Sequence, residues 1–517
     1  VGAAQERLVS GFIPGRTLSG EVALSADAIV IGSGAGGSVA ARELARAGLA
    51  VLVFEEGAHL TYKDFDQRED HMLPRLFQEG GGRATEDMAI RVLQGRGVGG
   101  STVHNTNLCK RTPDPILDLW ARKYGVVGAG VKDMAPSFEA IERELSVSRI
   151  PDAMVNKHND AIRRGVMALG WKGAVLQHNR VGCLGSGFCE LGCAYDAKQN
   201  ALKVVLPAAV DAGATVYSDV TVERVLTEAG RVTGVRARAL AEGGATVAQI
   251  TARAKVVVLS ASATGSAWIA RRSGLDDPFE QIGRGLRMHP GGVVAGVFDD
   301  EIAAHKGIPQ SYECTEHLSF EEGSDKRTWI IPAFAHPIGV ASMLPGFGAS
   351  HMKAMRDYRR YAVLSAMLHD ETEGHIMVGE DAPVLRYRMI EADRAALGRG
   401  LVACARILFA AGAKKVVFPA IPPVTVTRAS ELDALDMRFV RPHNVPLSAV
   451  HPMGTMRMGE DPKTSVVHST GEHHHTKGLF VMDGSLFPTS IGGPPQISIY
   501  AFARHLSPHA VDRAKQG

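Results

Sequence analysis

The chain has 517 residues, 45% of them hydrophobic and 22% charged, with a formal net charge of +2. That length suffices for two or three layers around a large core, and the near-balance of charge argues against nucleic acid or a membrane surface as partner. No stretch of 18 apolar residues occurs, so no membrane span is expected, and no repeat period stands out. Because the numbering starts at Val1, any leader lies upstream; localisation stays open, with a soluble, cytoplasmic chain favoured over a periplasmic one.

The first patterned unit is Ala28-Ile29-Val30-Ile31, an apolar run suited to a buried parallel strand, which leads into Gly32-Ser33-Gly34-Ala35-Gly36-Gly37. Val39, Ala40, Leu44 and Ala47 then recur at near-helical spacing up to Gly48. A second strand, Ala50-Val51-Leu52-Val53-Phe54, ends in Glu55-Glu56-Gly57. Strand, glycine turn, helix, strand and acid in this order form a dinucleotide-binding fingerprint. Gly32 permits the tight turn, Gly34 lets the backbone approach a pyrophosphate, and Gly37 lets helix and strand pack closely. Ala35 and Gly36 open the helix, whose N-terminus stabilises phosphate charge. Glu55, 18 residues beyond Gly37, is placed to accept from a ribose hydroxyl, with Glu56 beside it. The motif alone leaves NAD and FAD both open.

About sixty residues later, Gly95-Arg96-Gly97-Val98-Gly99-Gly100-Ser101-Thr102-Val103-His104-Asn105 is a second glycine-dense loop. Here the sequence resembles the glucose–methanol–choline (GMC) family of FAD-dependent oxidoreductases, which carries a Gly-Gly-Ser and Asn signature in a loop around the flavin. The resemblance recurs in order at Val256–Ser266 with Arg272–Leu275, at Gly283–Pro290, at Val450–Gly459 and at Gly478–Ser485. It points to a bacterial long-chain alcohol oxidase-like or cholesterol oxidase-like branch. It implies FAD as cofactor, with Arg96, Gly99, Gly100, Ser101, His104, Asn105, Asp483, Pro495 and Gln496 joining the first glycine turn in binding it.

The fold implied is α/β: a Rossmann-like FAD-binding domain with a parallel sheet and helices, plus an α+β substrate domain with an antiparallel sheet. The FAD-binding domain is assembled from residues 20–155, 200–292 and 445–517, and the substrate domain spans 293–444. Residues 156–199 form a cysteine-containing connecting segment.

By the same resemblance His451 is the base that takes a hydroxyl proton while hydride leaves for the flavin, work that suits a neutral imidazole. The family sets a second His or Asn on a turn that aligns here with Pro494, in Gly492-Gly493-Pro494-Pro495-Gln496. Proline can take neither role. Three readings stay open. Gln496, Asn444 or His443 replaces the partner; His451 works alone; or the flavoenzyme has no net redox turnover and is an isomerase, lyase or light-driven enzyme. The two prolines also suit the start of a helix over 497–506, whose N-terminus would face the flavin. The spacing of His104 from Gly99-Gly100 resembles that of a His bonded covalently to FAD in some members; a noncovalent contact is the alternative.

Cys183, Cys189 and Cys193 have a spacing open to an iron–sulfur cluster or zinc. The continuation Ala194–Asn200 resembles members without a cluster, so free thiols or a disulfide are favoured and no metal site is assigned. Glu472-His473-His474-His475 reads as a solvated turn. Trp329, Phe334, Met343, Phe347, Met352, Met355 and Met367 hint at an apolar substrate. The expected partners are a small or medium alcohol and oxygen or another electron acceptor. The oligomeric state is not legible.

Overall fold

The computed structural model describes residues 11–333, 336–344, 346–435 and 440–516, which leaves Phe334 outside the described residues. Ala28–Ile31, Val51–Phe54 and Val256–Leu259 are four-residue apolar runs buried along their whole length. Such runs can only be satisfied in a sheet covered on both faces. They sit in a six-stranded, all-parallel sheet ordered Gly11–Pro14, Thr215–Ser218, Val51–Phe54, Ala28–Ile31, Val256–Leu259, Leu479–Val481. The helix Ala35–Arg46 follows the glycine turn and packs on the C-terminal helix. Gly32 and Glu55 therefore emerge side by side at the carboxyl ends of adjacent strands, where open α/β sheets bind ligands.

The C-terminal helix spans Gln496–Gln516, well past the predicted 497–506. Pro508 removes one backbone donor, yet Ala510 and Ala514 remain buried beyond it, so packing carries the helix through. A four-stranded sheet that the sequence did not single out, Val220–Glu228, Arg231–Leu240, Thr246–Arg253 and Gly20–Ser25, flanks this half.

The second half is built on a larger sheet with Gly291–Val297 near its middle, paired antiparallel to Tyr361–Leu368 and Lys415–Phe418. It also recruits Gly173–Val175 and, through Leu447–Ala449, Ile90–Val92, all from outside 293–444. The helix Lys157–Ala168 packs on Glu391–Ala410, so residues 156–199 contribute layers to this half as well as connecting segments. Gly400 lets Glu391–Ala410 approach closely: a Cβ there would lie 2.7 Å from the Thr328 side chain.

Register in this sheet positions three histidines. His289 precedes Gly291–Val297, His369 follows Tyr361–Leu368, and His451 comes just after Leu447–Ala449. Gly291 pairs with both Met367 and Ser448. Extending those antiparallel registers by two or three residues gathers all three side chains at one sheet end.

Candidate active site

The two glycine-rich loops meet face to face. A Cβ on Gly100 would lie 2.9 Å from Gly34 Cα, whereas a Cβ on Gly34 would meet only Gly100 Cα, at 3.9 Å. Open space thus lies over Gly34, beside the N-terminus of Ala35–Arg46, as a pyrophosphate requires. Gly32 has φ +94°, a conformation a side chain rarely adopts. Gly37 abuts the turn itself, with a Cβ placed 1.9 Å from the Gly32 carbonyl. The closest approach to a neighbouring segment belongs to Gly36, whose Cβ would lie 1.6 Å from the Met482 carbonyl. A backbone cradle backed by such close packing fits a dinucleotide.

Glu55 does reach the cradle, but its carboxylate already accepts from Ser33 N (3.1 Å), Ser33 Oγ (2.7 Å), Gly57 N (3.0 Å) and Gly97 N (3.2 Å). A ribose hydroxyl would have to share this acceptor, which also ties the two glycine loops together. Burial, with Glu56 nearby, pushes the Glu55 carboxyl up to about 7. Glu56 accepts from Gln78, and Arg96 reaches the Glu56 carbonyl at 3.5 Å.

In the second loop, Gly99 N donates to Ser33 Oγ (3.0 Å) and Ser101 Oγ accepts from Gly95 N (2.8 Å). Asn105 Nδ2 donates to Gln496 Oε1 (2.8 Å), and Gln496 Nε2 donates to the Leu108 carbonyl (2.6 Å). Gln496 therefore ties the C-terminal helix to the Gly95–Asn105 loop, with both ends of its amide engaged. Pro495 accepts from Ile499 N at 2.8 Å as that helix begins. Asp483 is buried and accepts from Ser266 Oγ (2.5 Å) and Ser485 N (2.8 Å), which holds the turn after Leu479–Val481. His104 packs on Phe77 with ring centroids 4.1 Å apart, and its Nε2 is enclosed without a hydrogen-bond partner. Burial, with Lys198 nearby, pushes its imidazole down to about 3.

His451 Nδ1 lies 3.3 Å from His289 Nδ1, and the rings meet edge to face. His289 Nε2 accepts from Gly492 N (3.0 Å), and His369 Nε2 lies 3.1 Å from the Ser490 carbonyl. His289 and His369 have ring centroids 6.4 Å apart. Burial lowers His451 and His289 well below the usual imidazole range and His369 to about 4, so all three are neutral near pH 7. Sequence reading singled out only His451 of the three. His289 was visible as the His-Pro of a family-like segment, whereas nothing in the sequence marked His369.

Asn444 is not brought to this cluster. Strand Leu447–Ala449 runs antiparallel to Gly291–Val297, so residues before it lead toward the opposite end of that strand. There the Asn444 carbonyl accepts from Ile421 N at 2.8 Å, and His443 beside it is exposed.

Cys183, Cys189 and Cys193 are free thiols around one small cavity, and among the described residues no three Cys, His, Asp or Glu converge as metal ligands. Glu472–His475 is not a solvated turn: His473 is buried, and Glu472 is ion-paired with Arg513 of the C-terminal helix at 2.7 Å. Helix packing, absent from any local pattern, covers it. Among the described residues, no helix is long and apolar enough to cross a membrane.

Comparison with known proteins agrees with this architecture. Models described as GMC oxidoreductase match residues 73–291 and 372–503, and one described as an NAD(P)-binding Rossmann-like domain matches 30–86. An uncharacterized GMC-type oxidoreductase of Mycobacterium tuberculosis is 35% identical over 92% of this chain and 74% of its own. The long-chain-alcohol oxidase FAO4B of Arabidopsis thaliana is 30% identical over 94% of this chain and 67% of its own. Among solved structures, pyridoxine 4-oxidase from Mesorbium loti superposes with a TM-score of 0.70 at 21% identity, covering 93% of this chain and 98% of that one. The chain belongs to the GMC oxidoreductase family and is an FAD-dependent oxidoreductase acting on CH–OH donors.

Proposed function

We propose that the protein oxidises the hydroxyl group of a small or medium, apolar alcohol, with His451 at the reacting oxygen. The observation that carries this reading is the position of His451 Nε2. It has no partner among the described residues, is not sealed off by protein, and lies where the cofactor-binding half meets the large antiparallel sheet. Bound FAD supplies the acceptor for the hydride. Gly32–Gly37, Gly95–Asn105, Asp483 and the start of the C-terminal helix hold that cofactor, while the histidine cluster handles the hydroxyl group.

The apolar character of the substrate is supported by what adjoins the cluster. Phe320 lies against His369, with ring centroids 5.4 Å apart, and its ring also packs on Gly492. Leu318 joins Leu108, Leu176, Trp329, Ile331 and Met367 in an apolar group behind them. The relatives named long-chain-alcohol oxidases are in keeping with such a substrate. Phe347 and Met352, read from sequence as further apolar candidates, are exposed and take no part in this group.

Anaerobic mixing with a panel of primary and secondary alcohols tests the reading. Bleaching of the flavin absorbance by an apolar alcohol is expected; product formation with an unchanged oxidised spectrum would mean a reaction without net redox turnover. We also propose that FAD is held without a bond to His104, because Nε2 is enclosed by protein and lies against Gly95, where a Cβ would be 2.7 Å from it. Acid-precipitated holoprotein should then give a colourless pellet, and a yellow pellet would establish the covalent link.

A further inference from the structure

Backbone groups decide which nitrogens of the three neutral histidines carry a proton, since an amide N–H only donates and a carbonyl only accepts. Gly492 N–H donates to His289 Nε2 at 3.0 Å. That nitrogen is therefore unprotonated, and the proton of neutral His289 sits on Nδ1. His289 Nδ1 lies 3.3 Å from His451 Nδ1, so His289 donates there and His451 accepts. Neutral His451 then carries its proton on Nε2, the nitrogen that opens into the site.

His369 is set the opposite way. The Ser490 carbonyl, 3.1 Å from its Nε2, requires the proton on that nitrogen. This leaves a lone pair on Nδ1, which has no partner among the described residues and is not enclosed. Ser490 and Gly492 belong to the stretch just before Pro494, where relatives are expected to carry their second catalytic side chain. Gly492 has φ +70°, and a Cβ there would lie 2.5 Å from the Phe320 ring, so the stretch has little freedom to rearrange.

Building on the proposed alcohol oxidation, we propose that His369 Nδ1 takes the hydroxyl proton, that His451 holds the substrate oxygen through its Nε2–H, and that His289 is the positioning residue that fixes the His451 tautomer. The O–H bond breaks and an H–Nδ1 bond forms on His369. The O–H electron pair becomes the second bond of the carbonyl as the carbon gives up hydride, the two-electron oxidation this enzyme class performs. For His451 to be the base instead, both tautomers must reverse, and His289 Nε2–H would then oppose Gly492 N–H at 3.0 Å. That loses a buried hydrogen bond and leaves two donors facing each other.

His289 is held for this task. Its backbone is left-handed, at φ +51°, and its N–H donates to Asp370 Oδ1 at 3.2 Å. Met288 N (2.9 Å) and the Tyr387 hydroxyl (2.6 Å) donate to the other oxygen of Asp370. The remaining charges nearby are paired elsewhere: Arg287 with Glu373, and Arg327 with Glu371 and Asp393.

Nitrogen-15 NMR of the histidine-labelled holoprotein near neutral pH, with signals assigned through single variants, reads the tautomers without turnover. A protonated-type shift at His451 Nε2 and an acceptor-type shift at His369 Nδ1 are expected; a lone pair at His451 Nε2 would overturn the assignment. Single-turnover flavin reduction, using the fastest alcohol of the panel, reads the roles. His451→Gln keeps an N–H donor and should stay within about tenfold of the unmodified enzyme, whereas His451→Ala should lose about a hundredfold. His369→Gln keeps the bond to Ser490 but has no base, and should lose about a hundredfold. Near-normal reduction in His369→Gln, or His451→Gln as slow as His451→Ala, would overturn the roles. If no alcohol bleaches the unmodified holoprotein, the alcohol reading fails first, and the NMR still decides the tautomers.

Discussion

The dinucleotide cradle and the histidine cluster both sit at strand ends, yet they are specified in different ways. In the cradle, six consecutive residues from Gly32 to Gly37 carry most of the information, and its currency is steric: backbone so close that a methyl group does not fit. In the cluster, His289 and His451 are 162 residues apart in the chain, and hydrogen bonds to a third segment decide what each ring can do. Local sterics can be recognised in a short motif. The protonation pattern of a buried imidazole belongs to the assembled fold.

The largest effect is expected where the cradle is tightest. Gly36→Ala would drive its methyl into the Met482 carbonyl, so the yield of FAD-loaded protein should fall below about a tenth of normal. Flavin content and circular dichroism of the purified variant check this, and normal FAD occupancy would show that the helix and strand can part at little cost.

A pH profile addresses the cluster. Burial lowers His369 to about 4, with Asp370 acting against the shift, so its lone pair persists as the pH falls until that value. Single-turnover reduction should be level from about pH 8 to about pH 5.5 and decline about tenfold per unit below about 4. A decline centred near 6.5 would mean the proton acceptor is an ordinary exposed imidazole. The same shift affects stability. An unfolded histidine binds its proton near 6.5 and the folded His369 only near 4, so stability falls as the pH drops through that window. Acid unfolding monitored by fluorescence should show it.

A smaller effect is expected at the clamp between the two regions. Gln496→Ala removes hydrogen bonds to Asn105 and Leu108, each worth about 1 kcal/mol, while leaving the helix register intact. FAD affinity should weaken about tenfold, with the reduction rate of the loaded enzyme changed less than threefold. A hundredfold loss of reduction with normal FAD affinity would instead put Gln496 among the residues that touch substrate.

Several elements were legible beforehand for clear reasons. Ala28–Ile31 and Val51–Phe54 are short β-branched and aromatic runs flanked by glycine and acid, and no helix of useful length fits between those signals. The sequence reading ended the C-terminal helix at Leu506, while the burial of Ala510 and Ala514 that sustains it past Pro508 is a tertiary fact. Glu472–His475 was misread for a related reason, since its polar composition hides the ion pair with Arg513, 41 residues away. Asn444 looked close to His451 because the two are near in sequence, but an extended strand between them increases their separation.

From the sequence alone came the glycine turn, its following acid and, through the family resemblance, the order of the later segments and the expectation that His451 is the base. The turn and the acid depend on residues a few positions apart, where sterics and period leave few choices. Only the tertiary structure decided that His369 lies beside His289, because antiparallel register brings together the ends of Gly291–Val297 and Tyr361–Leu368. It also decided which nitrogen of each ring is protonated, because the Ser490 carbonyl and the Gly492 amide, one an acceptor and the other a donor, face different rings of the same cluster.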